Sequence, residues 1–370
     1  MNERKVLFII TCDLLRGGIT SVMLNHVKNA VEYEYDLAVA GSADPDIVRQ
    51  FEKEGVRVYT FKKYPNVLRY GRQLRQLIQN NNYSVVHVHG CSNTMSIELQ
   101  AARKAGCPVR VAHSHNTTCK NKLLNRLLKL NFNGSFTHAV ACGVEAGKWL
   151  FGDKTFFISK NGIDTSAYRF DLSIRTELRN KLGVDDGDVI LANVAMITEA
   201  KNHVFLLDIF AELCKAHQNY KLLLIGSGPL RSVVDQKIAE LGLERKVILL
   251  GEVDNVREWL NAIDLIVMPS LFEGFPLALV EEQANGLHCI VSDVITDDVN
   301  ISGNVDFQKT DDISRWVNAV VEKSAEYDRA RASDDAISAI CRAGFDSKTT
   351  AKEIEDIYNK AIAERGACGQ

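Results

Sequence analysis

Glu273 and Glu281, with seven residues between them, bracket the start of an apolar stretch that runs to Gly286. Leu265–Met268 reads as a buried strand ending at Pro269, and Leu277–Asn285 as a helix that Pro276 starts and Gly286 stops. The first turn of such a helix leaves N–H groups near Gly274, Phe275 and Leu277 without intrahelical partners. It also carries partial positive charge, which suits a diphosphate. A carboxylate beside an anion costs electrostatic energy unless another part of the ligand needs it, and sugar hydroxyls are good donors to carboxylates. Glu273 lies in the loop beside that anion site, and Glu281, one turn inside the helix, is within reach of the same hydroxyl-rich ligand. The bland alternative is a glutamate at a helix start followed by a solvated one.

Two glycine loops carry weaker signals. In Arg16-Gly17-Gly18-Ile19-Thr20 the paired glycines precede a helix, so backbone N–H groups can approach an anion; a plain tight turn reads the same way. Gly226-Ser227-Gly228-Pro229-Leu230 follows a strand and could carry phosphate or sugar contacts. It lacks the last glycine of a dinucleotide fingerprint, because Arg231 stands there, so a dehydrogenase is disfavoured.

Histidines alternate with valines in Val85–His89, and His113 and His115 likewise stand at alternate positions in Val111–His115. For His87 and His113 the reading is two strands whose polar side chains share one face, with His89 and His115 nearer the carboxyl ends. A zinc site built from these four lacks a carboxylate partner and is disfavoured. The nine cysteines are scattered, odd in number and without a C-x-x-C pair, which suits buried thiols in a reducing cytosol.

Those loops need a scaffold. Val6–Ile10, Leu37–Ala40, Val56–Tyr59, Val85–Val88, Val109–Ala112 and His138–Ala141 are short apolar runs separated by amphipathic stretches. The pattern restarts after Asn161-Gly162-Ile163-Asp164 with Val189–Ala192, Lys221–Ile225, Val247–Leu250, Leu265–Met268 and Cys289–Val291. Continuous apolar strands alternating with helices predict α/β halves, each a doubly wound parallel sheet. Expected domains are 1–162, 163–348, and a C-terminal helix at 349–370 that packs back on the N-terminal domain, its apolar face set by Ile354, Ile357, Tyr358 and Ala361.

The chain has 370 residues, enough for two domains, and 44 basic residues against 47 acidic ones. That net charge of −3 argues against a nucleic-acid binder. No apolar run reaches the roughly 20 residues of a membrane span, and the charged start leads into no signal-peptide core. The balance hides a local excess: residues 120–132 hold five leucines and four cations, resembling an interfacial helix, and Lys62, Lys63, Arg69, Arg72 and Arg75 add a second basic stretch. A helix with a buried leucine face and a solvated basic face is the alternative.

The segment E-G-F-P-L-A-L-V-E from Glu273 to Glu281 resembles the Glu-x7-Glu motif of retaining glycosyltransferases of family 4, which have the GT-B fold of two facing Rossmann-like domains with an interdomain cleft. The resemblance covers nearly the whole chain in order. It includes Arg16–Thr20, the A-H-S-H-N segment Ala112–Asn116, Ala141–Phe151, Asn161–Asp164 and Glu199–His203. A-H-S-H-N is similar to bacterial exopolysaccharide and capsule enzymes.

The resemblance implies a nucleotide-diphosphate sugar, most commonly a UDP-sugar, held by the C-terminal domain, with the acceptor held by the N-terminal one. Glu273 then contacts the transferred sugar, Gly274, Phe275, Pro276 and Leu277 lie beside sugar and phosphate, and Glu281 holds the ribose. Gly17 and Gly18 face the diphosphate, Gly226 borders the donor, and His115 lies near the anomeric centre. Lys201 neutralises the leaving diphosphate, in place of a metal or other cofactor. Retention is expected, in surface polysaccharide assembly on a glycan or polyprenyl-diphosphate acceptor. The protein is then cytoplasmic, with 120–132 docking on anionic membrane.

One departure stands out: the family writes Arg five residues before that lysine, and here the position is Met196. It keeps open a catalytically impaired nucleotide-sugar binder, with Arg231 as a speculative replacement. A GT-B epimerase or phosphorylase fits the Glu-x7-Glu spacing less well.

Overall fold

The computed structural model describes residues 4–368 apart from 120, 186, 326 and 327, with side chains through Glu364. The chain divides into two units, Met1–Ile163 with Gly344–Gln370, and Asp164–Ala343.

The first unit is a seven-stranded parallel sheet. In chain order its strands are β1 (Lys5–Ile10), β2 (Glu34–Val39), β3 (Arg57–Thr60), β4 (Val85–Gly90), β5 (Val109–Ser114), β6 (His138–Ala141) and β7 (Phe157–Ile158). Their order across the sheet is β3-β2-β1-β4-β5-β6-β7. Valine and isoleucine dominate the central strands because both faces are covered: Leu7, Ile9, Val86 and Val88 join one core, and Val6, Phe8, Ile10 and Val85 the other. Helices begin where side chains accept the free N–H groups, as Asp44 does from Asp46 and Asn66 from Arg69.

The last helix, Ser347–Cys368, completes this unit. It packs on the helix Gly18–Asn29 and sends Ile354, Ile357, Tyr358 and Ala361 into the second of those cores. Its approach explains Gly162, where an added Cβ would meet Thr350 Oγ1 at 2.4 Å and Ser347 Cα at 2.8 Å. Ile163 bonds both ways, its N–H to Phe345 O and its carbonyl to Ser347 N. The returning segment therefore starts at Gly344 and its helix at Ser347, ahead of the expected 349.

The second unit repeats the design with β8 (Val189–Val194), β9 (Tyr220–Ile225), β10 (Val247–Gly251), β11 (Leu265–Met268), β12 (His288–Ser292) and β13 (Val305–Gln308). The order is β10-β9-β8-β11-β12-β13, again all parallel. In both units the first strand and the fourth are neighbours, so the winding direction reverses between them. Chain crossovers diverge at such a point and leave a crevice at the strands' carboxyl ends, where ligands of open α/β sheets bind.

Candidate active site

In the second unit the reversal lies between β8 and β11, and the loops leaving those two strands carry Lys201 and Glu273. Lys201 ends a short 3-10 turn, Glu199–Lys201; Glu273 lies between β11 and the helix Leu277–Ala284. The two side chains form an ion pair, and Ser270 Oγ donates to the same Glu273 oxygen at 2.9 Å. Backbone ties hold the loops together: Leu271 N–H donates to Ala200 O at 2.8 Å and Asn202 Nδ2 to Pro269 O at 3.1 Å. Both charged side chains keep a solvent-facing edge, 23% exposed for Lys201 and 11% for Glu273. A polar ligand can therefore reach them.

The helix Leu277–Ala284 begins at Pro276 with no side-chain cap. Gly274 is exposed, and a Cβ there would meet nothing within 4 Å. Open N–H groups and open space are what a diphosphate needs at a helix start. Glu281 sits one turn in, its carboxyl pushed up to about 7 by burial, with a hydrogen bond from Tyr168 working in the opposite direction. Tyr168 is held in turn by Asn285 Nδ2, which donates to its carbonyl at 2.9 Å. Glu282, beside it, is buried with both carboxylate oxygens unpartnered, and burial raises its pKa well above the usual carboxylate range.

Gly226 has φ 133°, and an added Cβ would lie 2.1 Å from Ala195 O; at Gly228 the obstacle is Ile197 O at 2.3 Å. Both glycines thus answer to the close approach of the loop after β9 to the loop after β8. That loop presents Met196 at 60% exposure, just ahead of the buried Ile197 and the turn of Lys201. Arg231 pairs with Asp235 one helical turn on, at 2.9 Å.

In the first unit the reversal lies between β1 and β4. The helix after β1 starts at Gly18 with Gly17 as its N-cap and no side-chain cap. A Cβ on either glycine would meet nothing within 4 Å, so packing demands neither. His115 follows β5, half-buried, its N–H donating to Gly90 O at the end of β4. Burial lowers its pKa to about 4, which makes it a neutral hydrogen-bonding group at pH 7.

Strand alternation puts His87, His89, His113 and His115 on one face, in the register His89 opposite His113. His87 Nε2 meets His113 Nδ1 at 3.1 Å and His89 Nδ1 meets His115 Nε2 at 2.9 Å. Nitrogens of His87, His89 and His113 lie within 4.8 Å of one another. The His87 and His89 rings, however, are stacked 4.4 Å apart with planes 6° from parallel, so one ion cannot lie along the in-plane lone pairs of both. The stack is packing and hydrogen bonding.

The expected site residues thus fall on both units: Gly17, Gly18 and His115 on the first, Lys201, Gly226, Glu273–Leu277 and Glu281 on the second. The ion pair, Ser270, Tyr168 and the buried Glu282 had no sequence signal beyond the adjacency of Glu282 to Glu281.

Comparison with known proteins identifies the family and the fold. Residues 17–146 match the family described as glycosyl transferase 4-like domain, and 174–332 that described as glycosyl transferases group 1. The chain is similar to the glycosyltransferase EpsF of Bacillus subtilis, 33% identical over 97% of both chains. It is also similar to an Escherichia coli UDP-Gal:α-D-GlcNAc-diphosphoundecaprenol α-1,3-galactosyltransferase, 26% identical over 79% of each. Among solved structures, Anabaena HepE in complex with UDP superposes with a TM-score of 0.80 at 18% identity, over 96% of this chain and 100% of that one. WaaG, a glycosyltransferase involved in lipopolysaccharide biosynthesis, superposes at 0.70 and 14% identity, over 95% and 99%. Two Rossmann-like units in this order are the GT-B fold, and the chain belongs to glycosyltransferase family 4.

Proposed function

We propose that this protein transfers a sugar, with retention of anomeric configuration, from a UDP-sugar to a glycan or polyprenyl-diphosphate-linked acceptor in surface polysaccharide synthesis. The observation that carries the reading is the meeting of Lys201, Glu273 and an uncapped helix start at the sheet reversal of the second unit. Solved relatives hold UDP and UDP-glucose, and relatives named for diphosphoundecaprenol substrates support a lipid-linked acceptor.

In this reading the second unit holds the donor and the first the acceptor. Glu281 accepts from the ribose hydroxyls, the backbone at Gly274–Leu277 and at Gly17–Gly18 faces the diphosphate, Gly226 shapes the donor loop, and Glu273 accepts from the transferred sugar. His115, neutral, hydrogen-bonds the sugar near its anomeric carbon. As the bond from that carbon to the diphosphate oxygen breaks, negative charge grows on the diphosphate. Lys201 and the helix start bind it more strongly than in the ground state, which lowers the barrier. The acceptor oxygen attacks from the face the diphosphate leaves, and its proton passes to a diphosphate oxygen. Lys201 supplies the positive charge, so no metal is invoked.

The helix Lys122–Asn133 exposes Leu123, Leu127 and Leu130 at 70%, 69% and 86%, beside exposed Lys122, Arg126 and Lys129; Lys120 lies outside the described residues. Apolar side chains one turn apart with cations alongside favour docking on an anionic membrane, at the cytoplasmic face where UDP-sugars are used. No helix among the described residues is long and apolar enough to cross a membrane.

Mass spectrometry of the purified protein with a panel of nucleotide sugars and a polyprenyl-diphosphate acceptor tests this. The expected result is consumption of one donor with release of UDP. Exposed Met196 in place of arginine favours a second reading, a nucleotide-sugar binder without turnover; tight donor binding with no product over a broad acceptor panel would select it.

A further inference from the structure

The four stacked histidines end on the C-terminal helix. Tyr358, fully buried, lies with its hydroxyl 2.5 Å from His87 Nδ1, and His87 is that hydroxyl's only hydrogen-bond partner among the described residues. A buried tyrosine hydroxyl needs an acceptor for its proton, so it donates to His87 Nδ1. A neutral imidazole has one N–H, so His87 carries its proton on Nε2 and donates it to His113 Nδ1. His113 then carries its proton on Nε2, and that atom is buried with no partner.

The second pair is fixed from its other end. His115 Nδ1 and Asn161 Oδ1 are each buried without another hydrogen-bond partner, and the Asn161 side chain lies against the His115 ring, so a proton on Nδ1 would give both atoms a partner. His115 Nε2 is then an acceptor for His89 Nδ1–H, and His89 Nε2 is left as a buried bare acceptor without a partner.

The leftovers are complementary: a donor at His113 Nε2 and an acceptor at His89 Nε2, on rings 5.2 Å apart. Both histidines line one cavity of about 20 Å³, walled also by His26, Ser159, Lys160 and Thr350. A single water needs roughly 10–15 Å³ and polar partners, so one molecule fits, accepting from His113 and donating to His89.

We infer that Tyr358, His87, His113, one buried water, His89 and His115 form a continuous hydrogen-bonded file that holds His115 in a single tautomer, which makes Tyr358 a positioning residue for sugar transfer. The role in transfer rests on the proposed contact between His115 and the sugar; the file itself does not. With its Nδ1 proton fixed toward Asn161, His115 keeps one orientation, and the cost of selecting it is met before the donor arrives.

Nitrogen-15 NMR of the full-length protein with labelled histidine reads the file without any substrate. The expected pattern is a proton on Nε2 of His87 and His113 and on Nδ1 of His89 and His115. A mixed tautomer at His115, or the reverse pattern along either pair, overturns the inference. Tyr358→Phe removes only the hydroxyl and should loosen the tautomers along the whole file, His115 included, and lower kcat roughly tenfold with donor KM unchanged, the signature of misplacement rather than lost binding. Tyr35→Phe removes a neighbouring hydroxyl that bonds His26 and Glu355 outside the file, and should leave kcat in place. Equal kcat for Tyr358→Phe and wild type overturns the positioning role. A wild-type chain that consumes no UDP-sugar would sink the proposed function, while the tautomer pattern still decides the file.

Discussion

Lys201 and Glu273, 72 residues apart in the chain, are ion-paired across the loops leaving two adjacent strands. The pair gives each charge a partner in a partly desolvated crevice and holds both loops in position before a ligand arrives. A bound diphosphate would offer Lys201 a second anion, and sugar hydroxyls would offer Glu273 new donors.

Removing either member should separate catalysis from folding. Loss of one fixed charge that stabilises a developing anion typically costs about 10²–10³-fold in kcat. Lys201→Met and Glu273→Gln are expected to lose transfer on that scale while melting within a few degrees of wild type. Parallel calorimetry and product assays check this, and full activity in both variants would remove these residues from the site.

If Glu281 holds the ribose, donor binding should depend on pH. Its carboxyl keeps a proton to about pH 7 in the folded chain, against an ordinary value of 4.5. The folded state therefore binds more proton between those values, and this group's contribution to stability falls as pH rises through that window. Ribose hydroxyls donating to the ionised form would make UDP binding release up to one proton, so affinity should rise as pH goes from about 6 to about 8. Titration calorimetry in buffers of different ionisation heat reads the proton directly. Glu281→Gln should bind more weakly and lose the dependence; a pH-independent wild type would contradict the assignment.

The glycine loops should respond oppositely to alanine. At Gly226 the left-handed φ and the 2.1 Å approach to Ala195 O leave no room, so Gly226→Ala should destabilise by about 1–3 kcal/mol, within the range for strained backbone. Gly17→Ala meets open space and should leave stability unchanged to roughly 0.5 kcal/mol. If the diphosphate packs against that backbone, the Gly17 variant should still bind UDP several-fold more weakly. Thermal melts with and without UDP separate the two.

Met196→Arg restores the cation that the family pattern expects. Because the side chain is exposed, the change should leave the melting temperature unaltered. A second charge near the diphosphate should raise donor affinity or turnover by about threefold to tenfold, worth roughly 1 kcal/mol. An unchanged rate would mean that position 196 lies away from the donor.

The scaffold was legible because a parallel sheet covered on both faces demands continuous apolar runs, and those of β1 (Val6–Ile10) and β11 are uninterrupted. The two strands that escaped notice are at sheet edges: Phe157–Ile158 is two residues long and half-exposed, and β13 mixes Asp306 and Gln308 into its run. The helix after Pro276 was legible from its proline and glycine ends, stopping at Ala284 with Gly286 at φ 79°. Pairings across long sequence separations were not: Lys201 with Glu273, Tyr168 with Glu281, and Tyr358 with His87 depend on strand order and on the return of the last helix. Gly226 illustrates the ambiguity of a glycine-rich loop, since close packing alone accounts for it. The exposed leucines of Lys122–Asn133 show the reverse, because composition left open which face that helix buries.

The central claim is that the crevice holding Lys201 and Glu273 catalyses sugar transfer from a nucleotide donor. The most direct measurement is product formation by purified wild type, Lys201→Met and Glu273→Gln, each incubated with UDP-sugars and a polyprenyl-diphosphate acceptor, with product mass and UDP release followed together. A glycosylated acceptor and stoichiometric UDP from wild type, with both falling at least about 10²-fold in each folded variant, is the predicted result. Equal turnover in all three proteins, or donor binding with no product from wild type, would contradict it.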